Sequence, residues 1–158
     1  MNSVRVEKGN RKNRELTLSI VHFMLEKLEL NNITLDIEFS NILRDEYALG
    51  FSSRNAENDF SIELDRNLNF HDLLETICHE MIHIKQYVNG ELIEQNGQTI
   101  YKNILYNIDA NDYYEDVDNL PWEKEAYEKE TYYSKLYLIE VHNGTPSGRR
   151  NSSSSGEA

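Results

Sequence analysis

Basic residues are scarce in this chain: 16 lysines and arginines face 28 acids, giving a net charge of −12 and a pI near 4.8. That balance argues against general binding to DNA, RNA or an anionic lipid surface, each of which rewards a basic face. Long apolar runs are lacking too. The stretch Leu16 to Leu25, which follows the bases Arg5, Lys8, Arg11, Lys12 and Arg14, is interrupted by Thr17, Ser19 and His22. It continues into Glu26-Lys27-Leu28 without a small-residue cleavage site. It therefore reads as an amphipathic helix, with Leu18, Val21, Leu25 and Leu28 at helical spacing, and not as an export signal or a membrane span. The single cysteine, Cys78, precludes an internal disulfide and fits a reducing, cytoplasmic setting. There is no internal repeat. Apolar content of 39% is low but sufficient for one core, and ten tyrosines add large amphipathic side chains.

What is present is concentrated in His79-Glu80-Met81-Ile82-His83. On a helix, residues i and i+4 share a face, so both imidazoles can reach one ion. Zinc takes neutral imidazole nitrogens readily, and two of them leave positions for another ligand and a water. Glu80 stands where a carboxylate can accept a proton from that water. The periodicity predicts a helix over residues 70–88, capped by Asn69 with Asp72 three residues on. Phe70, Leu74, Ile77, Met81, Ile84 and Val88 fall on one side of it, with Leu73 and Cys78 flanking. Thr76, His79, His83 and Gln86 fall on the other, a face without lysine or arginine. Cys78 points towards the core and is expected to be buried and inert.

A third ligand must come from elsewhere. Among the other histidines, His22 lies in an apolar helical run and is expected in or beside the core. His71 is about two turns from His79, too far to share an ion. His142 sits where the ordered pattern fades. Carboxylates remain, and Pro121 opens a helix running to about Val141 that carries several. Trp122, Ala126, Tyr132, Tyr133, Leu136, Tyr137 and Ile139 form a stripe along it. Glu125 lies about 45° from the middle of that stripe and Glu123, Glu128 and Glu130 about twice as far round, so Glu125 is the expected ligand.

The pair His79-Glu80-x-x-His83 with Gln86, followed by Trp122-Glu123-x-Glu125-Ala126, resembles the small gluzincin-type metallopeptidases. It is similar to the short SprT-like and ImmA/IrrE-like zincin domains of phage and bacteria. The resemblance rests directly on residues 79–86 and 121–126, and it departs from SprT in having no histidine between Tyr87 and Trp122. No third histidine stands at the short spacing of metzincins, and no helix-turn-helix module is evident. The resemblance implies an α+β minimal zincin fold: a small, mostly antiparallel sheet packed with the metal helix and a C-terminal helix bearing the third ligand. It implies a Zn2+-dependent peptidase with Glu80 as general base, acting on a peptide or protein. It further implies that the strand before the metal helix, Phe60-Ser61-Ile62-Glu63-Leu64, aligns substrate by backbone pairing. For the oxyanion donor Tyr132 is the candidate named first, with Tyr113 and Tyr127 open as well.

The expected organisation is a basic arm over residues 1–13, one domain over 14–142, and a disordered polar tail over 143–158. Strands are expected at Thr34 to Phe39, Glu46 to Ser52 and Phe60 to Leu64, with a loop from Ser53 to Asp59 between the last two. Another is expected from Ile100 to Tyr106, after the Asn96-Gly97 turn, and an acidic, aromatic segment from Asn107 to Asn119. Two other functional classes fit the same sequence. One is a metal-stabilised binding domain without turnover, whose mark would be loss of Glu80. The other is an acidic interaction protein with no metal at all.

Overall fold

A computed structural model describes residues 1–41, 49–106 and 119–142. The chain is α+β. In order it forms β1 (Ser3–Glu7), α1 (Arg11–Lys27), β2 (Thr34–Ser40), β3 (Gly50–Ala56), β4 (Asp59–Asp65), α2 (Phe70–Val88), β5 (Leu92–Gln95), β6 (Gln98–Tyr101), β7 (Ile104–Tyr106) and α3 (Pro121–Tyr137). A single π turn, Leu138–His142, follows α3. No helix among the described residues is long and apolar enough to cross a membrane.

Alternation along the strands builds the main sheet, ordered β1-β2-β4-β3. Leu35, Ile37 and Phe39 of β2 stand beside Phe60, Ile62 and Leu64 of β4, all buried, and Val4 and Val6 of β1 extend the first two rows. The alternate positions carry Arg5, Asp36, Glu38, Ser61 and Glu63, joined across strands by Arg5–Asp36 at 3.1 Å and Ser40–Glu63 at 2.8 Å. With one face apolar and one charged, the sheet can be covered on one side only, where α1 and α2 pack. Ile20, Val21 and Met24 of α1 and Leu74, Ile77, Met81 and Ile84 of α2 are fully buried there. Each such side chain contributes roughly 1.5–3 kcal/mol of burial.

Two expectations are corrected. The four-stranded sheet is mixed and not mostly antiparallel: β1–β2 and β2–β4 are parallel, and β3–β4 is antiparallel. Helix α1 carries the chain back between β1 and β2, so those two strands must run the same way. Nor is the N-terminus a free arm, since residues 1–13 hold β1 and the start of α1, which Asn10 caps through Asn13 N at 2.8 Å. Charge hid the strand: Arg5 and Lys8 lie against Asp36 and Glu38, while Val4 and Val6 pack against the core.

The remaining differences are local. Strand β3 continues to Ala56, through most of the expected loop, and turns tightly into β4. Residues 46–48 of the expected strand, 107–118 of the acidic segment and the tail 143–158 lie outside the described residues. The expected strand over 100–106 is split into β6 and β7, so that β5-β6-β7 form a second, antiparallel sheet. Its two turns both hold positive φ at successive residues, Asn96 (54°) with Gly97 (76°) and Lys102 (49°) with Asn103 (70°). The first has the asparagine-glycine signature of such turns and the second does not, which is why only the first was legible. Trp122 anchors this sheet beneath α3, with the rings of Tyr101 and Tyr106 at 5.9 and 5.3 Å.

Candidate metal centre

Helix α2 runs over the predicted range, and Asn69 caps it by accepting a hydrogen bond from Asp72 N at 2.8 Å. Its polar face does not meet solvent. Thr76, Glu80, His83 and Gln86 are buried, and His79 nearly so: α3 lies across the two histidines and Gln86, and Gly50 of β3 lies against Thr76. Two small residues on α3, Ala126 and Ser134, are buried in that contact and let the helices approach closely.

The imidazoles of His79 and His83 stand edge to face with ring centres 4.9 Å apart. Their Nε2 atoms converge on one oxygen of Glu123, at 3.0 Å and 3.2 Å. Each Nδ1 has its own partner: Glu130 Oε1 at 2.7 Å for His79 and Gln86 Oε1 at 2.8 Å for His83. With those two acceptors holding the Nδ1 protons, a neutral ring would turn its Nε2 lone pair towards Glu123, so that either a proton on Nε2 or a metal ion must lie between the nitrogen and the carboxylate. His79, His83 and Glu123 offer ligand atoms within 4.8 Å of one another and could hold a metal ion. Two imidazole nitrogens and one carboxylate oxygen, with outer partners on both rings, are a donor set that suits a divalent metal.

The protonation of the site expresses the same need. Burial opposes a charge on His79 and is the largest single influence, yet hydrogen bonds to Glu123 and Glu130 outweigh it and hold the ring up to about 10. His83 is likewise raised against burial, by Glu123 and then by the charge of Glu80. Glu123 resists its own burial and is drawn down to about 2 by the two histidines. Protons on the rings and a metal ion are alternative occupants of the same electrostatic trap. Glu80 completes it: the residue is largely buried, lies close enough to act electrostatically on both rings, and makes no hydrogen bond to another side chain among the described residues.

The sequence-derived ligand Glu125 is not at the histidines; Glu123 is. The oxygens of Glu125 are taken by Gln86 Nε2 at 2.7 Å, Tyr101 Oη at 3.0 Å, Lys129 Nζ at 3.1 Å and Lys85 Nζ at 3.3 Å. The stripe that favoured Glu125 included Tyr132 and Ile139, which are 60% and 67% exposed and pulled its centre round the helix. The buried face is instead Glu123, Ala126, Glu130, Ser134 and Tyr137, spaced by three and four residues, with Glu123 and Glu130 against α2 and Tyr137 against Ser19 and Phe23 of α1. That spacing was the available signal for both Glu123 and Glu130.

Other expectations also move. Tyr132 points to solvent beside Tyr133 and not to the site, whereas the Tyr127 ring lies 4.6 Å from that of His79 and is 46% exposed. Tyr113 lies outside the described residues. Phe60 to Leu64 cannot pair with a substrate, since β4 is bonded on both sides, by β2 and β3. His22 is exposed on α1, while His142 stacks on Phe70 at 4.7 Å, away from the cluster. Cys78 is fully buried, and burial pushes its thiol up to about 12. A water-soluble disulfide reagent should therefore leave it unmodified in the folded protein at neutral pH and label it promptly in denaturant. Rapid labelling of the native chain would show that the α2–α3 contact opens readily.

No protein-family model matches this chain, and neither a curated protein nor a solved structure does.

Proposed function

We propose that the protein is a zinc-dependent peptidase of the zincin type. The observation that supports it most is the convergence of His79 Nε2, His83 Nε2 and Glu123 Oε1 beside the largely buried Glu80. His79, His83 and Glu123 would hold the ion, which when bound acidifies a water and polarises a carbonyl. Glu80 accepts the proton of the attacking water and passes it to the departing amine. Tyr127, beside His79 and partly exposed, replaces Tyr132 as the phenol that can donate to the developing oxyanion. Glu130 and the Gln86 amide fix the two ring orientations through Nδ1.

Substrate alignment moves from β4 to β3. Strand β3 is the edge of the sheet and has no partner on its outer side among the described residues. Its first residue, Gly50, is pressed against α2 so closely that a Cβ there would come within 2.8 Å of Thr76 Cγ2, one turn ahead of the site. An extended peptide adding to this edge would run past the metal helix.

The test is elemental analysis of the purified full chain, combined with mass-spectrometric readout of cleavage in a diverse peptide library. One zinc per chain and cleavage abolished by a chelator are expected. A chain that holds the metal but cleaves nothing would favour the binding-domain reading. A chain that takes up no divalent metal would leave the histidines and glutamates as a buried ion-pair network and refute the proposal.

A further inference from the structure

The side chain of Gln86 is fully buried and makes three hydrogen bonds whose directions are chemically forced. Its Nε2 lies 3.0 Å from the backbone carbonyl of Trp122 and 2.7 Å from Glu125 Oε1. A carbonyl and a carboxylate can only accept, so this end must be the NH2 group. Its Oε1 is thereby turned to His83 Nδ1, 2.8 Å away, and an amide oxygen can only accept in turn. The proton of a neutral His83 must sit on Nδ1, and Nε2 is left with its lone pair facing Glu123 and His79. Polarity runs in one direction from Glu125 to the metal-facing nitrogen.

Glu125 is itself fixed from two other elements. Tyr101 of β6 donates to the same oxygen at 3.0 Å, and Lys85 and Lys129 flank the other. Without it, the Trp122 carbonyl alone would hold the amide. A flipped Gln86 would offer NH2 to His83 and favour the tautomer that carries its proton on Nε2, which cannot ligate.

We propose that Glu125 is a positioning residue which, through the amide of Gln86, locks His83 in its metal-binding tautomer and so ties the small β5-β6-β7 sheet to the metal centre. The inference rests on the metallopeptidase reading in one respect, that His83 binds a metal.

The test measures zinc affinity of the full chain by competition with a chromophoric chelator, in wild type, Gln86→Met, Glu125→Ala and the double variant, with circular dichroism to verify folding. Gln86→Met should bind about 10–100-fold more weakly, the usual cost of losing an outer partner of a histidine ligand. Glu125→Ala should weaken binding as well, and add nothing further in the Gln86→Met background. Glu125→Gln, which keeps an acceptor for the amide, should restore most of the affinity, and it serves if Gln86→Met does not fold. In zinc-loaded protein the His83 Nδ1 proton should be seen by NMR as a slowly exchanging resonance. It should disappear in Gln86→Met while that of His79, held by Glu130, remains. Multiplying losses in the double variant, or single variants that bind like wild type, would overturn the positioning role and leave the metal site standing. A wild type that takes up no zinc would overturn both.

Discussion

Replacing Glu123 by glutamine should strip zinc from the protein, with the same outcome for His79→Ala and His83→Ala, while Glu125→Gln retains it. Both glutamates stand in the first two turns of α3, but Glu123 places one oxygen 3.0 Å and 3.2 Å from the two Nε2 atoms. Glu125 already has its oxygens engaged by Gln86, Tyr101 and two lysines. An amide at position 123 removes the negative charge that a divalent ion needs in an N/O donor set, and it cannot be supplied from Glu125 without breaking those bonds. The measurement is zinc content after dialysis, with thermal melting to separate metal loss from unfolding. Because the ion must displace the Nε2 protons that Glu123 holds on the rings, wild-type affinity should also tighten as pH rises. Full occupancy in Glu123→Gln together with loss in Glu125→Gln would mean that α3 is rotated in solution.

Glu80→Gln should give the opposite dissociation, with zinc content and stability near wild type and peptide hydrolysis reduced by at least roughly a hundredfold, the usual cost of a lost general base. Glu80 follows His79 by one residue and is therefore about 100° round the helix from it, beside the three candidate ligands but not among them. Glutamine preserves the volume of a buried side chain and can still hydrogen-bond, so the change isolates proton acceptance. A Glu80→Gln protein that hydrolyses peptides at the wild-type rate would refute the mechanism.

Helix α2 was legible almost residue by residue, because its cap, its apolar side and its two histidines are local features that a 3.6-residue period reveals. So were β2, β4 and the Asn96-Gly97 turn, whose patterns agree with their own sequence neighbourhood. Strand β1 was hidden by its charges. Valines alternating with Arg5 and Glu7 look solvated until β2 supplies Asp36 and Glu38 on one face and Leu35 and Ile37 on the other.

By itself, then, the sequence determined the chemistry-bearing helix: two imidazoles on one face, a carboxylate beside them, and an apolar side to hold them to a core. Tertiary structure alone decided which carboxylate completes the set. A helix periodicity fixes which residues share a face, but the face turned to a neighbour depends on the summed packing of every side chain around it. Along α3 and the π turn after it, the exposed Tyr132 and Ile139 look as apolar as the buried Trp122 and Tyr137, so the outward and inward sides could not be told apart locally. Packing Ala126 and Ser134 against α2, and Trp122 against the small sheet, fixes the rotation that brings Glu123 to the histidines and gives Glu125 to Gln86.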